Sequence, residues 1–381
     1  SNVDGALQDG LELRILDSTD PGQVRATMRW APTRKTLYIV SSKSGGTAEV
    51  NAFLDAFWAR TKRSLGDRAG EHFIAITDPG TSLEELARER GFRRVFLADP
   101  QVGGRFSALS AFGLVPAALM GLNLNKLLDR AAWMARQCAV EVPAGRNPGL
   151  VLGAILGEAA LVGRDKLTLV TDRLMESFGA WLEQLIAESS SKNGKGIIPI
   201  VDEPLRRDGL YGRDRLFVYL RTDGRHDRAL ARLREQGYPT LILNVASRED
   251  LAAEFYRWEV ATAAACAVLR VNAFDQPDVQ DNKIRTVEKI RTYQQVGKLD
   301  EGEPAWEAEG VKLFGQIKAP EVMSVGQALD AFLGEAQEGD YLAINAYLPR
   351  NVRTNRILQR LRVAIYKRTN LATTFGFGPR F

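Results

Sequence analysis

The most informative segment of this sequence reads Ile39-Val40-Ser41-Ser42-Lys43-Ser44-Gly45-Gly46-Thr47-Ala48-Glu49. An apolar run, Thr36–Val40, leads into it and is predicted to be a strand. The residues that follow, Thr47–Leu65, place their apolar side chains at helical spacing. The segment is therefore predicted to join the carboxyl end of a strand to the amino end of a helix.

A turn of this kind favours the binding of an anion, because exposed N–H groups and the positive end of the helix dipole attract phosphate. Ser42, Ser44 and Thr47 would add hydroxyl donors, and Lys43 would add a positive charge. The Walker spacing is absent, which argues against hydrolysis of a nucleoside triphosphate. The alternative is an ordinary polar turn that caps a helix.

Strands and helices alternate along most of the chain, which predicts an α/β protein with parallel sheets. The other predicted strands are Leu11–Leu16, His72–Thr77, Arg94–Leu97, Leu167–Thr171, Leu216–Arg221, Thr240–Val245 and Tyr341–Ala346. Another helix is predicted to start at Ser82, with a capping box to Glu85, and a further one to run from near Asn147 to Leu161. The remaining predicted helices are Leu174–Glu188, Asp227–Gln236, Glu249–Ala267, Asp278–Gln294, Val325–Glu335 and Asn351–Arg368. The order recurs after a segment rich in Pro and Gly, residues 142–149, so we predict two similar domains, 1–145 and 146–381.

Length and composition are those of a soluble globular protein. The 381 residues suffice for two or three domains, and 45% of them are hydrophobic and 26% charged. No run approaches 18 uninterrupted apolar residues, which argues against a membrane span. The net charge of +4 is spread along the chain, so we expect no nucleic-acid partner.

The two cysteines, Cys138 and Cys266, stand in alanine-rich segments and are predicted to be free thiols. Free thiols are typical of a reducing compartment, so the cysteines predict a cytoplasmic protein. The two histidines, His72 and His226, are far apart in the sequence, and no Cys-x-x-Cys pair occurs. We therefore expect neither a metal site nor a redox cofactor.

Two further segments carry chemically useful side chains. The glycines of Gly103-Gly104-Arg105 allow a sharp turn that could aim a guanidinium at an oxyanion, although a solvent-facing loop is the alternative. Gln184 and Glu188 lie four residues apart on one helix face. A carboxylate at a helix carboxyl end is unfavourable, which suggests that Glu188 serves in proton transfer; the alternative is a surface pair with Lys192.

The last such segment runs from Phe274 to Lys283. Asp275 or Asp278 would cap a helix that carries Lys283 on its second turn. A structural cap followed by an exposed lysine is the alternative here.

Taken in order, these segments resemble phosphoglucose isomerases, most closely the isomerase portion of fused transaldolase/glucose-6-phosphate isomerase proteins, from about Leu13 to Phe381. The resemblance rests on four motifs: Ser42-Lys43-Ser44-x-x-Thr47-x-Glu49, Gly103-Gly104-Arg105-Phe106-Ser107, Gln184-x-x-x-Glu188-Ser189, and Phe274-Asp275-Gln276 followed by Lys283. It implies two sugar-isomerase (SIS-type) α/β domains, each a parallel sheet flanked by helices. It also implies a homodimer, and leaves open whether a transaldolase domain precedes the chain.

The resemblance also implies a function: interconversion of glucose 6-phosphate and fructose 6-phosphate through an enediolate, without cofactor or metal. A phosphosugar isomerase that also accepts mannose 6-phosphate, or a non-catalytic sugar-phosphate-binding module, is the alternative. The implied roles are phosphate binding by Ser42, Lys43, Ser44 and Thr47, enediolate stabilisation by Arg105, substrate orientation by Gln184, proton transfer by Glu188 and contact with sugar oxygens by Lys283.

The sequence departs from the family pattern at three places. Ser191 stands where the family has a glycine, so we expect a strained turn if that position needs a positive φ. The family's Gly-Gly-Ser turn, which lies upstream of the counterpart of Leu11–Leu16, has no match. The family's ring-opening histidine, lent by a neighbouring subunit, has only His226 as a candidate, and an ordinary loop histidine is the alternative.

Overall fold

A computed structural model describes residues 11–206, 208–299, 301–308, 310–315 and 324–378, except for the side chains of residues 278–280. Two parallel sheets, one of three strands and one of four, hold most of the buried core. A parallel strand pair and an antiparallel hairpin lie further along the chain. The predicted α/β architecture of parallel sheets flanked by helices is confirmed.

The first sheet has the strand order β1-β2-β3, from Tyr38–Ser41, Phe73–Thr77 and Arg94–Leu97. All five residues of β2 are buried, because strands lie on both of its sides and helices cover the sheet. The flanking helices are α1 (Pro21–Trp30), α2 (Ala48–Leu65) and α3 (Ser82–Glu89).

The predicted strand Leu11–Leu16 is wrong, because this segment joins no named sheet of the described chain. Leu11 and Ile15 are 58% and 57% exposed, so no sheet face buries the alternating apolar residues that suggested a strand. Helix α1 follows, and the sequence analysis missed it.

The predicted capping box at α3 is displaced by one residue. Thr81, not Ser82, is the N-cap, and its hydroxyl accepts from the Glu84 N–H at 3.3 Å. Glu84, not Glu85, completes the turn by accepting from the Gly80 N–H at 2.6 Å. Ser82 is thereby free to donate to the Gly45 carbonyl at 3.3 Å, which ties α3 to the loop after β1.

Three helices lie between the two sheets in the sequence: α4 (Ala111–Leu119), α5 (Leu124–Gln137) and α6 (Pro148–Leu161). Both α5 and α6 pack against α9 (Leu251–Leu269). Because α5 belongs to the first half of the chain and α9 to the second, the halves are in contact, and the domain boundary at residue 145 stays a proposal.

The second sheet has the order β5-β4-β6-β7, from Lys166–Thr171 (β4), Ile198–Ile200 (β5), Arg215–Arg221 (β6) and Thr240–Asn244 (β7). Its helices are α7 (Phe178–Ser190), α8 (Asp227–Glu235) and α9. Helix α7 connects the parallel strands β4 and β5, so it runs from the carboxyl edge of this sheet back to its amino edge. It starts later than the predicted Leu174, because Arg173–Met175 form a separate 3₁₀ turn.

The carboxyl-terminal part contains α10 (Pro277–Val296), the hairpin β8–β9 (Trp306–Ala308 and Val311–Leu313), α11 (Val325–Gly334), β10 (Tyr341–Ala346), α12 (Val352–Thr369) and β11 (Ala372–Phe377). A buried network joins this part to the second sheet: Arg215 binds Glu203 at 2.7 Å, and the Thr373 N–H donates to the same carboxylate at 3.0 Å. Within the described ranges, no helix is both long enough and apolar enough to cross a membrane.

Candidate active site

The loop after β1 has the form expected for an anion site. Ser42 is buried, and its hydroxyl lies 2.9 Å from that of Thr47. Thr47 is the N-cap residue of α2, yet its side chain makes no capping bond. The amino end of α2 is therefore not capped by its own N-cap side chain, which argues against an ordinary capping turn and leaves N–H groups that can bind an anion.

The side chain of Lys43 connects this loop to the Gly103-Gly104-Arg105 turn. Its ammonium forms an ion pair with Asp78 and also donates to the Pro100 carbonyl at 3.4 Å. A Cβ atom built on Gly104 would lie 3.9 Å from the Lys43 Cδ. Two motifs about 60 residues apart thus lie side by side.

Arg105 is buried, with 4% of the residue exposed, which rules out the solvent-facing loop. Its Nη1 donates to the Ser189 hydroxyl at 2.8 Å, and its Nη2 donates to the Asp275 carbonyl at 3.2 Å. Its Nε lies 3.4 Å from Glu188 Oε2. Burial lowers the pKa of Arg105, and the nearby Glu188 carboxylate opposes this shift, so the guanidinium stays charged.

Glu188 lies on the last turn of α7, with its carboxylate between two partners. Gln184 Nε2 donates to Glu188 Oε1 at 3.0 Å, and Arg105 faces the other oxygen. The side chain keeps 27% of its surface exposed, so a ligand can reach it. The alternative surface pair with Lys192 is wrong, because that ammonium binds the Glu188 backbone carbonyl at 2.9 Å and not the carboxylate.

The strain expected at Ser191 does not occur, because this residue has a φ of −78°. The positive φ values fall at Asn193 (56°) and Gly194 (71°). These two residues form the tip of a tight turn in which Lys192 and Lys195 exchange backbone hydrogen bonds of 3.0 Å. Asn-Gly is the residue pair that such a turn prefers, so the chain reverses without a glycine at position 191.

The segment before α10 reaches the site, but Lys283 does not. The Phe274 ring lies 5.3 Å from the Phe106 ring, and the Asp275 carbonyl holds Arg105. Asp275 does not cap α10, whose N-cap is Gln276. Lys283 is exposed on α10, and the structure shows no hydrogen bond or ion pair from it to another described residue. The side chain of Asp278, the other predicted cap, lies outside the described residues.

His226 lies at the opposite edge of the second sheet. It is the N-cap residue of α8, after the carboxyl end of β6, and its ring packs 5.9 Å from that of Tyr219. Glu188 lies near the amino edge, because α7 runs the length of the sheet. Within the described chain, no contact joins His226 to Arg105 or Glu188, and its role in ring opening stays a prediction.

Ser189 and Lys192 join the predicted residues at the site, although the sequence analysis gave neither a role. Ser189 ends the quoted motif around Glu188 and Lys192 follows three residues later, which was the available signal. Cys138 and Cys266 are free, as predicted, and Cys266 donates to the Ser189 carbonyl at 3.3 Å. In the described part of the chain, no three His, Cys, Asp or Glu side chains form a group that could hold a metal ion.

This chain is similar in sequence to a known protein family. The profile of the family "phosphoglucose isomerase" matches residues 4–201, just over half of the chain. The chain belongs to the phosphoglucose isomerase family. This match includes the loop after β1, Arg105, Gln184 and Glu188, whereas His226 and Lys283 lie beyond it.

Two relatives show how far the similarity to this family extends. A glucose-6-phosphate isomerase of Carboxydothermus hydrogenoformans is 29% identical over 333 residues, which are 74% of this chain and 71% of that protein. One from Synechococcus sp. (strain JA-3-3Ab) is 40% identical over 196 residues, which are 49% of this chain and only 36% of that protein.

Solved structures share the fold of this phosphoglucose isomerase family member. A hypothetical protein of Thermus thermophilus superposes with a TM-score of 0.66 at 24% identity, covering 75% of this chain and 79% of its own. A glucose-6-phosphate isomerase of Chlamydia trachomatis superposes with a TM-score of 0.61 at 21% identity, covering 72% of this chain and 63% of its own.

Proposed function

We propose that this chain is a cytoplasmic aldose–ketose isomerase that interconverts glucose 6-phosphate and fructose 6-phosphate. The observation that supports this most directly is the contact between Arg105 and Glu188, which places a cation beside a carboxylate base. Relatives named glucose-6-phosphate isomerase support the choice of substrate.

The phosphate would bind in the loop after β1. The hydroxyls of Ser42 and Thr47 and the uncapped amino end of α2 offer donors there. Lys43 is paired with Asp78, so it would act as a link between this loop and Pro100 and not as a free cation. We therefore propose that Lys43 contributes to phosphate binding by holding the loop in place, and direct binding by its charge stays a prediction.

The proton would move between the two sugar carbons through Glu188. Its carboxylate takes the proton from C2 of the open-chain aldose, the C2–H electron pair forms the C1–C2 double bond, and negative charge develops on O1. Arg105 stabilises this oxyanion, and a proton passes from O2 to O1. Glu188 then returns its proton to C1, which leaves the carbonyl at C2. Gln184, bound to the other oxygen of the carboxylate, keeps the base oriented.

Ring opening needs a further acid–base group. Since His226 lies at the other edge of the second sheet, we propose that it can serve only in the site of a second copy of the chain. This use of His226 depends on the proposed homodimer. Lys283 would reach sugar oxygens only if substrate extends toward α10.

A coupled assay for conversion of fructose 6-phosphate to glucose 6-phosphate tests the proposal. We expect Glu188→Gln to lower kcat by about 10³-fold, the scale of a lost acid–base group. Binding of sorbitol 6-phosphate, which has no carbonyl and cannot isomerise, should change by less than about fivefold, since the phosphate loop is intact.

The matched control is Glu176→Gln, because Glu176 lies just before the amino end of α7, away from Glu188, and pairs with Arg225. This variant should keep the wild-type kcat. Absence of turnover in the wild-type chain, or unchanged turnover in Glu188→Gln, would refute the proposed function.

A further inference from the structure

The ammonium of Lys192 is buried beside the site, although the proposed reaction does not use it. Only 5% of its side chain is exposed. It donates to the backbone carbonyls of Glu188 at 2.9 Å and Ser189 at 2.6 Å, and it lies 3.4 Å from Asp275 Oδ1. A buried charge is stable only when it is well paired, so these three contacts together account for its position.

Two of these contacts satisfy the carboxyl end of α7. The last carbonyls of a helix lack partners within the helix, and the negative end of the dipole disfavours a carboxylate there. Lys192 supplies donors and a positive charge to the turn that carries the Glu188 side chain. The turn is thereby held in place despite its unfavourable carboxylate.

The third contact joins this turn to the segment before α10. Asp275 uses its carboxylate for Lys192 and its carbonyl for Arg105 Nη2. Ser189 likewise uses its carbonyl for Lys192 and its hydroxyl for Arg105 Nη1. Lys192 therefore binds both residues that hold the guanidinium, and it binds the residue that carries the base.

We propose that Lys192 is a positioning residue, which sets the distance between the Glu188 carboxylate and the Arg105 guanidinium by joining the end of α7 to Asp275. The proposal rests on the proposed function. Lys192 acts through the backbone and through Asp275. Its removal should therefore affect catalysis more than substrate binding, because the phosphate loop lies elsewhere.

Lys195 provides a matched control in the same turn. Its ammonium also donates to a helix-terminal carbonyl, that of Leu269 at 2.9 Å at the end of α9. The structure shows no contact between its side chain and Glu188, Arg105 or Asp275. If Lys192 only stabilised the turn, loss of either ammonium would have similar consequences.

The first test compares Lys192→Met with Lys195→Met in the isomerase assay. We expect Lys192→Met to lower kcat by about 10- to 100-fold, since small misplacements of reacting groups have effects on this scale. KM should stay within about threefold, and Lys195→Met should keep kcat within about twofold. An unchanged kcat in folded Lys192→Met, or an equal loss in Lys195→Met, would overturn the proposal.

A milder variant covers the case in which Lys192→Met fails to fold. Asp275→Asn removes the ion pair but leaves both carbonyl contacts of the ammonium. We expect a fall in kcat of about threefold to tenfold with KM unchanged, because the end of α7 loses its ionic link to the segment before α10. Full activity in Asp275→Asn would contradict the proposed link.

Hydrogen exchange separates this proposal from the proposed function, because it needs no turnover. The Ser191 N–H closes the last turn of α7 by donating to the Ala187 carbonyl at 3.0 Å. In Lys192→Met, this amide and those of residues 272–276 should exchange at least tenfold faster, and in Lys195→Met they should not. Unchanged exchange would overturn the positioning role, whereas loss of isomerisation in the wild type would overturn only the function.

Discussion

The loops at the carboxyl edges of the two main sheets both present backbone N–H groups, but these groups meet different partners. In the first sheet, the loop from Ser42 to Thr47 presents hydroxyls and an uncapped helix end. In the second, the N–H groups after β6 point at a carboxylate of the protein itself. Asp172, fully buried, accepts from Thr222, Asp223 and Gly224 at 2.8–2.9 Å and from the Tyr219 hydroxyl at 2.7 Å.

This difference explains why two similar sheets contribute differently to one site. An internal carboxylate already accepts from three N–H groups at the carboxyl edge of the second sheet, whereas in the loop after β1 we propose that a substrate anion takes this place. The second sheet contributes its amino edge, where α7 ends at Glu188. A carboxylate at that end of a helix needs cations nearby, and Arg105 and Lys192 supply them.

Arg105 connects the two regions, and its removal should have the largest effect. We expect Arg105→Ala to lower kcat by about 10²- to 10³-fold, the usual cost of a lost oxyanion donor. Binding of sorbitol 6-phosphate should weaken much less, because the loop after β1 remains. Arg105→Lys should recover little activity, since an ammonium cannot bind Ser189 and Asp275 together as the planar guanidinium does. A defect confined to binding would contradict oxyanion stabilisation.

Asp172 fills the carboxyl edge of the second sheet, and replacing it should reduce stability. We expect Asp172→Asn to lower the free energy of unfolding by about 3 kcal/mol at pH 7, because the three backbone donors lose a charged acceptor. Urea unfolding measures this difference. The control is Asp227→Asn, since Asp227 is an exposed residue whose partner, Arg221, lies at the same edge.

The effect of Asp172 should depend on pH with a definite sign. Burial alone would raise the pKa of Asp172, but the Tyr219 hydroxyl and the three N–H groups lower it to about 2. Because this pKa is lower in the folded protein than in the unfolded chain, the stabilisation is present above about pH 4 and is lost as the pH falls toward 2. The difference between wild type and Asp172→Asn should therefore shrink below pH 4. An increase there would disprove the assignment.

Two glycines distinguish the backbone of the loop after β1 from that of the turn after α7. Gly45 has a φ of 67°, and a Cβ atom there would lie 2.9 Å from the Leu83 nitrogen. Gly194 has a φ of 71° with no atom within 4 Å of such a Cβ. We expect Gly45→Ala to cost about 2 kcal/mol and Gly194→Ala about 1 kcal/mol in unfolding free energy, because only the first adds a clash to the backbone strain. Equal losses would show that Gly45 is not tightly packed.

The pattern of the sequence predicted most of the fold because buried parallel strands read as short apolar runs between amphipathic helices. It failed where a similar pattern has no sheet to join. The residues of Leu11–Leu16 alternate like a strand, but Leu11 and Ile15 are exposed and the segment joins no named sheet. Strand β11 was missed because it pairs with β10 across the intervening helix α12. Strand pairing of this kind depends on residues far away in the sequence and not on the local pattern.

In the candidate site too, local sequence patterns indicated single residues but not the contacts between distant ones. Glu188, Gln184 and Arg105 were predicted from local motifs, and the structure brings them together. The contacts that hold Arg105 span 84 residues to Ser189 and 170 to Asp275, so no local pattern could indicate them. Residue spacing also could not show that His226 and Glu188 lie at opposite edges of one sheet.

Thr47 offers the smallest and most selective change at the carboxyl edge of the first sheet. Thr47→Val keeps the shape of the side chain but removes the hydroxyl that lies 2.9 Å from that of Ser42. We expect KM for fructose 6-phosphate to rise about tenfold with kcat within twofold, because a bond made equally to substrate and transition state is lost. Steady-state kinetics measures both. The control is Thr61→Val, which removes a buried hydroxyl of α2 that donates to the Phe57 carbonyl. A loss of kcat at constant KM would mean that the loop acts in the chemical step. It would contradict the proposal that the first sheet binds the phosphate while the end of α7 supplies the base.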